Sequence, residues 1–308
     1  MYQDPRVPLV GALALSLVGI MPAAVPTGQQ VFRSQARVVP VYAAVRAASG
    51  QLVTGLTRDD FRVLDDGEAT EIVAFAVVTE PVSVAIMMDA SASGQPIGST
   101  GPAFLRQAIV AFVSALDAGD RASLGTFGTE VAVGGRFSND LDEFNRVIEE
   151  EFWTGPGVGS PIWQAAGEAA AALGRRSGRR VVLLYTDGID SGFLPNWRGG
   201  RASVERQLLG VDAMVYVIRP LWSKRRTGGL PADLIDLIQS TGGGHLDVMA
   251  GADLEAVLAG VADELRHQYL IGFTPRTLDR GEHTVELRTV KPGLTVTARR
   301  KYYTGERP

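Results

Sequence analysis

The chain contains no cysteine. That excludes a disulfide framework, a thiolate zinc site, a cysteine nucleophile and the lipid-modified cysteine that would anchor a bacterial lipoprotein. Histidine is scarce: the three present are His245, His267 and His283, and no pair has zinc-binding spacing, so they read as ordinary surface or packing residues. There is no excess of positive charge. The formal net charge is −4 over 308 residues, and nucleic acid as the main partner would need a clustered positive surface. The short basic clusters at Arg175-Arg176 with Arg179-Arg180, Lys224-Arg225-Arg226 and Arg299-Arg300-Lys301 are expected to be solvated faces. The apolar stretch Leu9 to Ile20 is short for a span of ~20 residues and is bracketed by Pro8 and Pro22. With Arg6 before it and Met21-Pro22-Ala23-Ala24 after it, residues 1–25 read as a signal peptide. The expected location is secreted or periplasmic, with an uncleaved amino-terminal anchor as the alternative.

What is present is ordinary in amount: 45% hydrophobic and 21% charged residues, in a chain long enough for one large or two modest domains. The informative part is local. Val82 to Asp89 is a continuous apolar run ending in an aspartate, followed by Ser91 and Ser93. Such a run reads as a strand buried on both faces, as in a parallel sheet, with Asp89 at its carboxyl end, where open α/β sheets place their ligands. Arg180 to Asp187 repeats the pattern. Between them, the glycine-rich loop from Gly155 to Pro161 runs into a helical pattern from Ile162 to Leu173. There Ser160 is expected as helix cap and Pro161 as first helical residue. A carboxylate and hydroxyls are all oxygen donors, which suit a hard divalent cation.

From Val82 onward, strand patterns alternate with helical ones, which implies right-handed crossovers and a parallel sheet covered on both faces. Before it, Phe61–Leu64 and Thr70–Phe75 flank the turn Asp65-Asp66-Gly67, a hairpin signal. After it, Tyr269–Phe273, His283–Val290 and Leu294–Tyr303 are expected strands. Each β-rich end is too small to bury a core alone. The expectation is therefore a doubly wound, mostly parallel α/β domain over residues 80–267. It is inserted into a small β-sandwich built from both chain ends, residues 26–79 and 268–308.

The order Asp89-x-Ser91-x-Ser93, then Gly159-Ser160-Pro161, then Thr186-Asp187-Gly188 resembles the von Willebrand factor A domain and its metal-ion-dependent adhesion site. The stretches Ser49 to Ala76, Leu265 to Pro275 and Gly293 to Gly305 are similar to a subfamily of secreted bacterial von Willebrand A-related proteins. The likeness spans roughly residues 35 to 304 and carries no ligand with it. It implies one divalent cation, Mg2+ (or Mn2+ or Ca2+), surrounded by Asp89, Ser91, Ser93, Ser160 and Asp187. The family usually has threonine where Ser160 stands, so the hydroxyl is kept and the stiffening methyl lost. The resemblance further implies a last helix, here Ala252 to His267, that can shift.

A cation with few direct carboxylates keeps exchangeable waters, and the Asp or Glu of a partner protein could displace one. The function expected is thus an exported, metal-dependent protein-binding module that is not an enzyme. Trp153, Trp197 and Trp222 stand in loops expected at the metal face as a candidate partner-binding rim, since tryptophan is enriched at interface hot spots. Trp163 is expected to be buried. Two alternatives stand beside this reading. One is a scaffold whose metal site is vestigial or structural. The other is a phosphotransfer or hydrolytic enzyme, but Ser91 stands where an aspartyl-phosphate enzyme needs a second aspartate, and Pro161 breaks the Gly-x-Ser-x-Gly pattern.

Overall fold

The computed structural model describes residues 38–91, 102–151, 158–221, 228–249 and 252–304. The signal-peptide segment, Ser93, Trp153, Trp222 and the cluster Lys224-Arg225-Arg226 lie outside the described residues. At the centre is a six-stranded sheet ordered β10-β9-β8-β5-β6-β7. Its members are β5 (Val82–Asp89), β6 (Arg121–Phe127), β7 (Val131–Ala132), β8 (Arg179–Tyr185), β9 (Ala213–Leu221) and β10 (His245–Met249). All pairings are parallel except β6 with β7. Every residue of β5 and of β8 is buried, because helices cover both faces and leave no polar side to alternate with. On one face, Val84, Ile86 and Met88 of β5 pack with α1 (Pro102–Ser114), α2 (Leu141–Glu151) and α6 (Leu254–Arg266). On the other, Ala85 and Met87 pack with α3 (Ile162–Leu173), α4 (Arg201–Gly210) and α5 (Ala232–Thr241). The period-2 alternation along one strand thus divides two cores. Among the described residues no helix is long and apolar enough to cross a membrane.

The chain ends build two further four-stranded antiparallel sheets. One is ordered β13-β1-β11-β4 and combines β1 (Val39–Ala47) and β4 (Ile72–Val77) with β11 (Tyr269–Phe273) and β13 (Leu294–Ala298). The other is ordered β14-β12-β2-β3 and combines β2 (Phe61–Asp65) and β3 (Glu68–Thr70) with β12 (Glu282–Thr289) and β14 (Lys301–Tyr303). Val41, Phe61, Val63, Tyr269, Ile271, Phe273, Val285 and Tyr302 meet in one core between them. Neither chain end could assemble this core alone, so the α/β segment is an insertion between β4 and β11.

Three details depart from the expected pattern. The turn at Asp66-Gly67, with φ of 48° and 84°, does close a two-residue hairpin. Its second arm ends at Thr70, however, and β4 crosses to the other sheet. Leu294–Tyr303 is likewise two strands in two sheets, broken at Arg299-Arg300. The break has a cause: the Arg299 guanidinium is buried and donates to Asp212 Oδ1 at 2.6 Å and to the Lys301 carbonyl at 2.7 Å. The third departure is in the basic clusters, since Arg179, Arg180 and Arg299 are buried rather than solvated. Arg179 ties the Glu80 carbonyl to that of Leu265, and Arg180 ties the Leu173 carbonyl to that of Val211. These guanidiniums satisfy carbonyls at element ends, which a cluster of charges in sequence does not announce.

Candidate metal centre

The carboxyl ends of β5 and β8 lie side by side, with Met88 facing Tyr185 in register. The turns that follow therefore bring Asp89 and the Thr186-Asp187 pair together. The Asp89 carboxylate accepts from the Ser91 backbone N–H at 2.9 Å, from Ser160 Oγ at 3.1 Å and from Thr186 Oγ1 at 2.6 Å. Asp187 Oδ1 accepts from the Ile189 N–H at 2.9 Å, a bond within its own turn. Gly188 closes that turn at φ 84°, a left-handed conformation open to glycine.

The structure thus brings four of the five expected ligands, Asp89, Ser91, Ser160 and Asp187, to one strand-end cluster. Ser160 does not cap α3. The helix begins at Ile162, after Pro161, and the Ile162 N–H is satisfied by Asp190 Oδ1 at 3.0 Å from across the cluster. Ser191 Oγ accepts from the Ser160 N–H at 2.7 Å, and the Ser191 N–H returns a bond to the Ser160 carbonyl at 3.0 Å. The loop after Asp187 therefore fixes the backbone of Ser160 and frees its hydroxyl for Asp89. Two residues do more than their sequence reading assigns: Thr186, quoted beside Asp187 without a role, is fully buried against Asp89, and Asp190, read with Ser191 as a loop residue and not a ligand, supplies the cap of α3 from that loop.

Burial raises the Asp89 pKa, Ser91 and Thr186 hydrogen bonds oppose that, and the nearby Asp187 charge adds to it. A hard cation would relieve both burial and repulsion, and the donors are all oxygen, so the residues fit a divalent ion chemically. Two features limit the site. Among the described residues no group of three or more His, Cys, Asp or Glu side chains is placed to hold a metal. The donors are also enclosed: Asp89 is 1% exposed, Ser160 4%, and Ser91 and Asp187 5% each.

Beside the cluster, a cleft of ≈ 330 Å³ is lined by Ile162, Trp163, Ile189, Asp190, Arg201 and Pro231, among others. Trp163 is buried, with the Arg201 guanidinium over its ring at 5.3 Å. Arg201 also pairs with Asp190 and Asp233. Trp197 is half-buried, stacked on Phe193 at 6.1 Å and in line with Gly167 of α3, so it fills space under its loop. α6 runs Leu254–Arg266, capped by Asp253, whose side chain accepts from the Ala256 N–H at 3.0 Å.

The architecture is a doubly wound, mostly parallel α/β domain carried in a small β-sandwich built from both chain ends. No protein-family model matches the chain, and no curated protein matches it. Solved structures do. A von Willebrand factor type A protein from Catenulispora acidiphila is 12% identical, with 88% of this chain and 75% of that one covered, at a TM-score of 0.48. Proximal thread matrix protein 1 from the mussel byssus, with a zinc-occupied MIDAS motif, is 17% identical over 64% of this chain and 48% of that one, also at 0.48. The PilB minor pilin from Streptococcus sanguinis is 14% identical over 62% and 63%, at 0.42. The chain therefore spans about half the length of the byssus protein. At these identities and TM-scores the likenesses carry no functional argument.

Proposed function

We propose that the chain is an exported, non-enzymatic interaction scaffold whose strand-end cluster is a structural tie. Asp89, Ser91, Ser160 and Asp187, with Ser93, would hold a divalent cation that neutralises the paired carboxylates and pins the loops of the sheet's carboxyl edge. The observation that carries this is the burial of the donors, none of the four described being more than 5% exposed. A partner's carboxylate needs an open coordination position, whereas among the described residues the donors are enclosed and already knitted by the Ser160 and Thr186 hydroxyls. The cation would supply charge neutralisation; the protein's own part is positional. The Ser191 hydroxyl, which accepts from the Ser160 N–H, and the Asp190 cap hold the middle loop, and the Thr186 hydroxyl orients Asp89.

A second reading, a metal that completes its shell with a partner Asp or Glu, is favoured by the adjoining cleft and by Ile189, 55% exposed at its edge. In that reading Trp153, Trp197 and Trp222 would form the rim. The test is a titration of the metal-free protein with Mg2+ or Mn2+, followed by calorimetry and thermal melting, with Asp187→Ala as control. A site at a hundred times its dissociation constant stabilises by about 2.7 kcal/mol, and the variant should gain nothing. Equal responses in both proteins would remove the cation from this cluster.

A further inference from the structure

Exposed sheet edges are normally shortened, charged or covered, because a free row of backbone groups is a template for another strand. Two of the four sandwich edges conform by length and charge: β3 has three residues and begins with Glu68, and β14 has three and begins with Lys301, which pairs with Glu205 and Glu282. β13 also lacks charge and proline, but four of its five residues are half-buried. β4 does not conform. Among the described residues it pairs with β11 alone, and its six residues, Ile72 to Val77, include no charge and no proline. Val73 is 50% exposed and Val77 56%.

The segment Val73-Ala74-Phe75-Ala76-Val77 is a palindrome, and so is its exposure: two exposed residues, one half-buried, two exposed. A two-fold axis through Phe75 in an antiparallel pair would set Ala74 opposite Ala76 of the other copy and Val73 opposite Val77. Such an isologous contact asks one patch to complement itself, which a palindromic edge does in a single register. The flanking acid Glu71, already paired with Arg58 at 2.9 Å, would face Thr79, so no like charges oppose. The register shift at Gly272/Phe273 puts a bulge beside Val73, leaving Ala74–Val77 as the regular run.

We infer that β4 is a self-association edge, whose occupant is β4 of a second copy, joining two four-stranded sheets into one of eight. So short a contact buries less than a standard interface, and the dimer is correspondingly weak. Nothing in this depends on the cation.

The experiment is sedimentation equilibrium of the full chain from about 1 μM to 1 mM, with folding checked by circular dichroism. The wild type should show a reversible monomer–dimer equilibrium. Val73→Lys with Val77→Lys, at exposed positions, should weaken it at least tenfold by setting like charges opposite each other. Val73→Lys with Val77→Glu should restore it, since the two substitutions face one another across the axis. Because the chain has no cysteine, a mixture of Ala74→Cys and Ala76→Cys chains should cross-link faster than either alone, Cα atoms opposite in such a pair being ~4.5–5.5 Å apart. A wild type that stays monomeric to 1 mM would overturn the inference. So would two double variants that associate alike, or equal cross-linking in mixed and single samples.

Discussion

Replacing His283 by glutamine tests how the two chain ends are held together. His283 lies on β12, with its side chain 7% exposed. Nδ1 meets Asp66 Oδ2 at 2.8 Å, while Nε2 is 3.3 Å from Asp279 Oδ1 and 3.2 Å from Thr304 Oγ1. Its ring stacks on Tyr302 at 5.1 Å, and Tyr302 Oη in turn donates to the buried Asp65 at 2.6 Å. The ring therefore ties the β2–β3 turn, from the amino-terminal part, to the last strand. Burial opposes its charge, but the Asp66 hydrogen bond and the Asp66 and Asp279 charges outweigh it and raise the imidazole pKa above 6.5. The same hydrogen bond lowers the Asp66 pKa below 3.8.

The signs follow from linkage. The raised imidazole contributes stability that is complete below its unfolded pKa of 6.5 and is lost as pH rises through the folded value. The lowered carboxyl contributes above 3.8 and is lost as pH falls through its own folded value. The pair is therefore at full strength from about pH 4 to 6.5. Asp66 and Asp279 are half or more exposed, which discounts the charged bonds to about 1–2 kcal/mol, and the ring stack adds about 0.5–1. His283→Gln should cost about 1.5–3 kcal/mol at pH 5.5 by urea unfolding, or roughly 3–12 °C in Tm. The cost should shrink at pH 8.5. A wild type and variant whose stabilities run parallel from pH 5 to 9 would refute the charged-ring account.

Arg299→Met should destabilise by about 3–5 kcal/mol in the same assay, because it removes the buried guanidinium that Asp212 and the Lys301 carbonyl accept from; a cost under 1 kcal/mol would mean the ion pair is dispensable. Gly243→Ala should prevent stable folding, since the added Cβ would lie 1.9 Å from the Val215 carbonyl oxygen. A soluble variant with native circular dichroism would contradict that contact.

The features legible in the sequence were those that repeat locally. Two apolar runs ending in aspartate place Asp89 and Asp187 at neighbouring strand ends, and alternation of strand and helix gives the doubly wound sheet. The shared core of Phe61, Tyr269 and Tyr302 follows from two β-rich ends too small to fold alone. What stayed hidden depends on contacts between distant residues. Thr186 acts through Asp89, 97 positions away, and Asp190 caps a helix that begins 28 residues earlier. Arg299 sits in a run of three basic residues that looks solvated, yet it turns inward because Asp212 and two backbone carbonyls await it. Composition describes a charge cluster, and only the fold says which member of it is buried. Ser160 was expected as a cap because serine before proline favours helix starts; the tighter demand of a buried carboxylate claims its hydroxyl instead.

On the proposed reading the strand-end cluster is a closed, structural cation site and not an adhesive one. Water-proton relaxation with Mn2+ tests it most directly, because paramagnetic enhancement reports exchangeable water on the bound ion. A closed site should bind Mn2+ in a way that Asp187→Ala abolishes, with little enhancement and no response to added acetate. Strong enhancement that acetate suppresses would contradict it, showing open coordination positions that a partner's carboxylate can take.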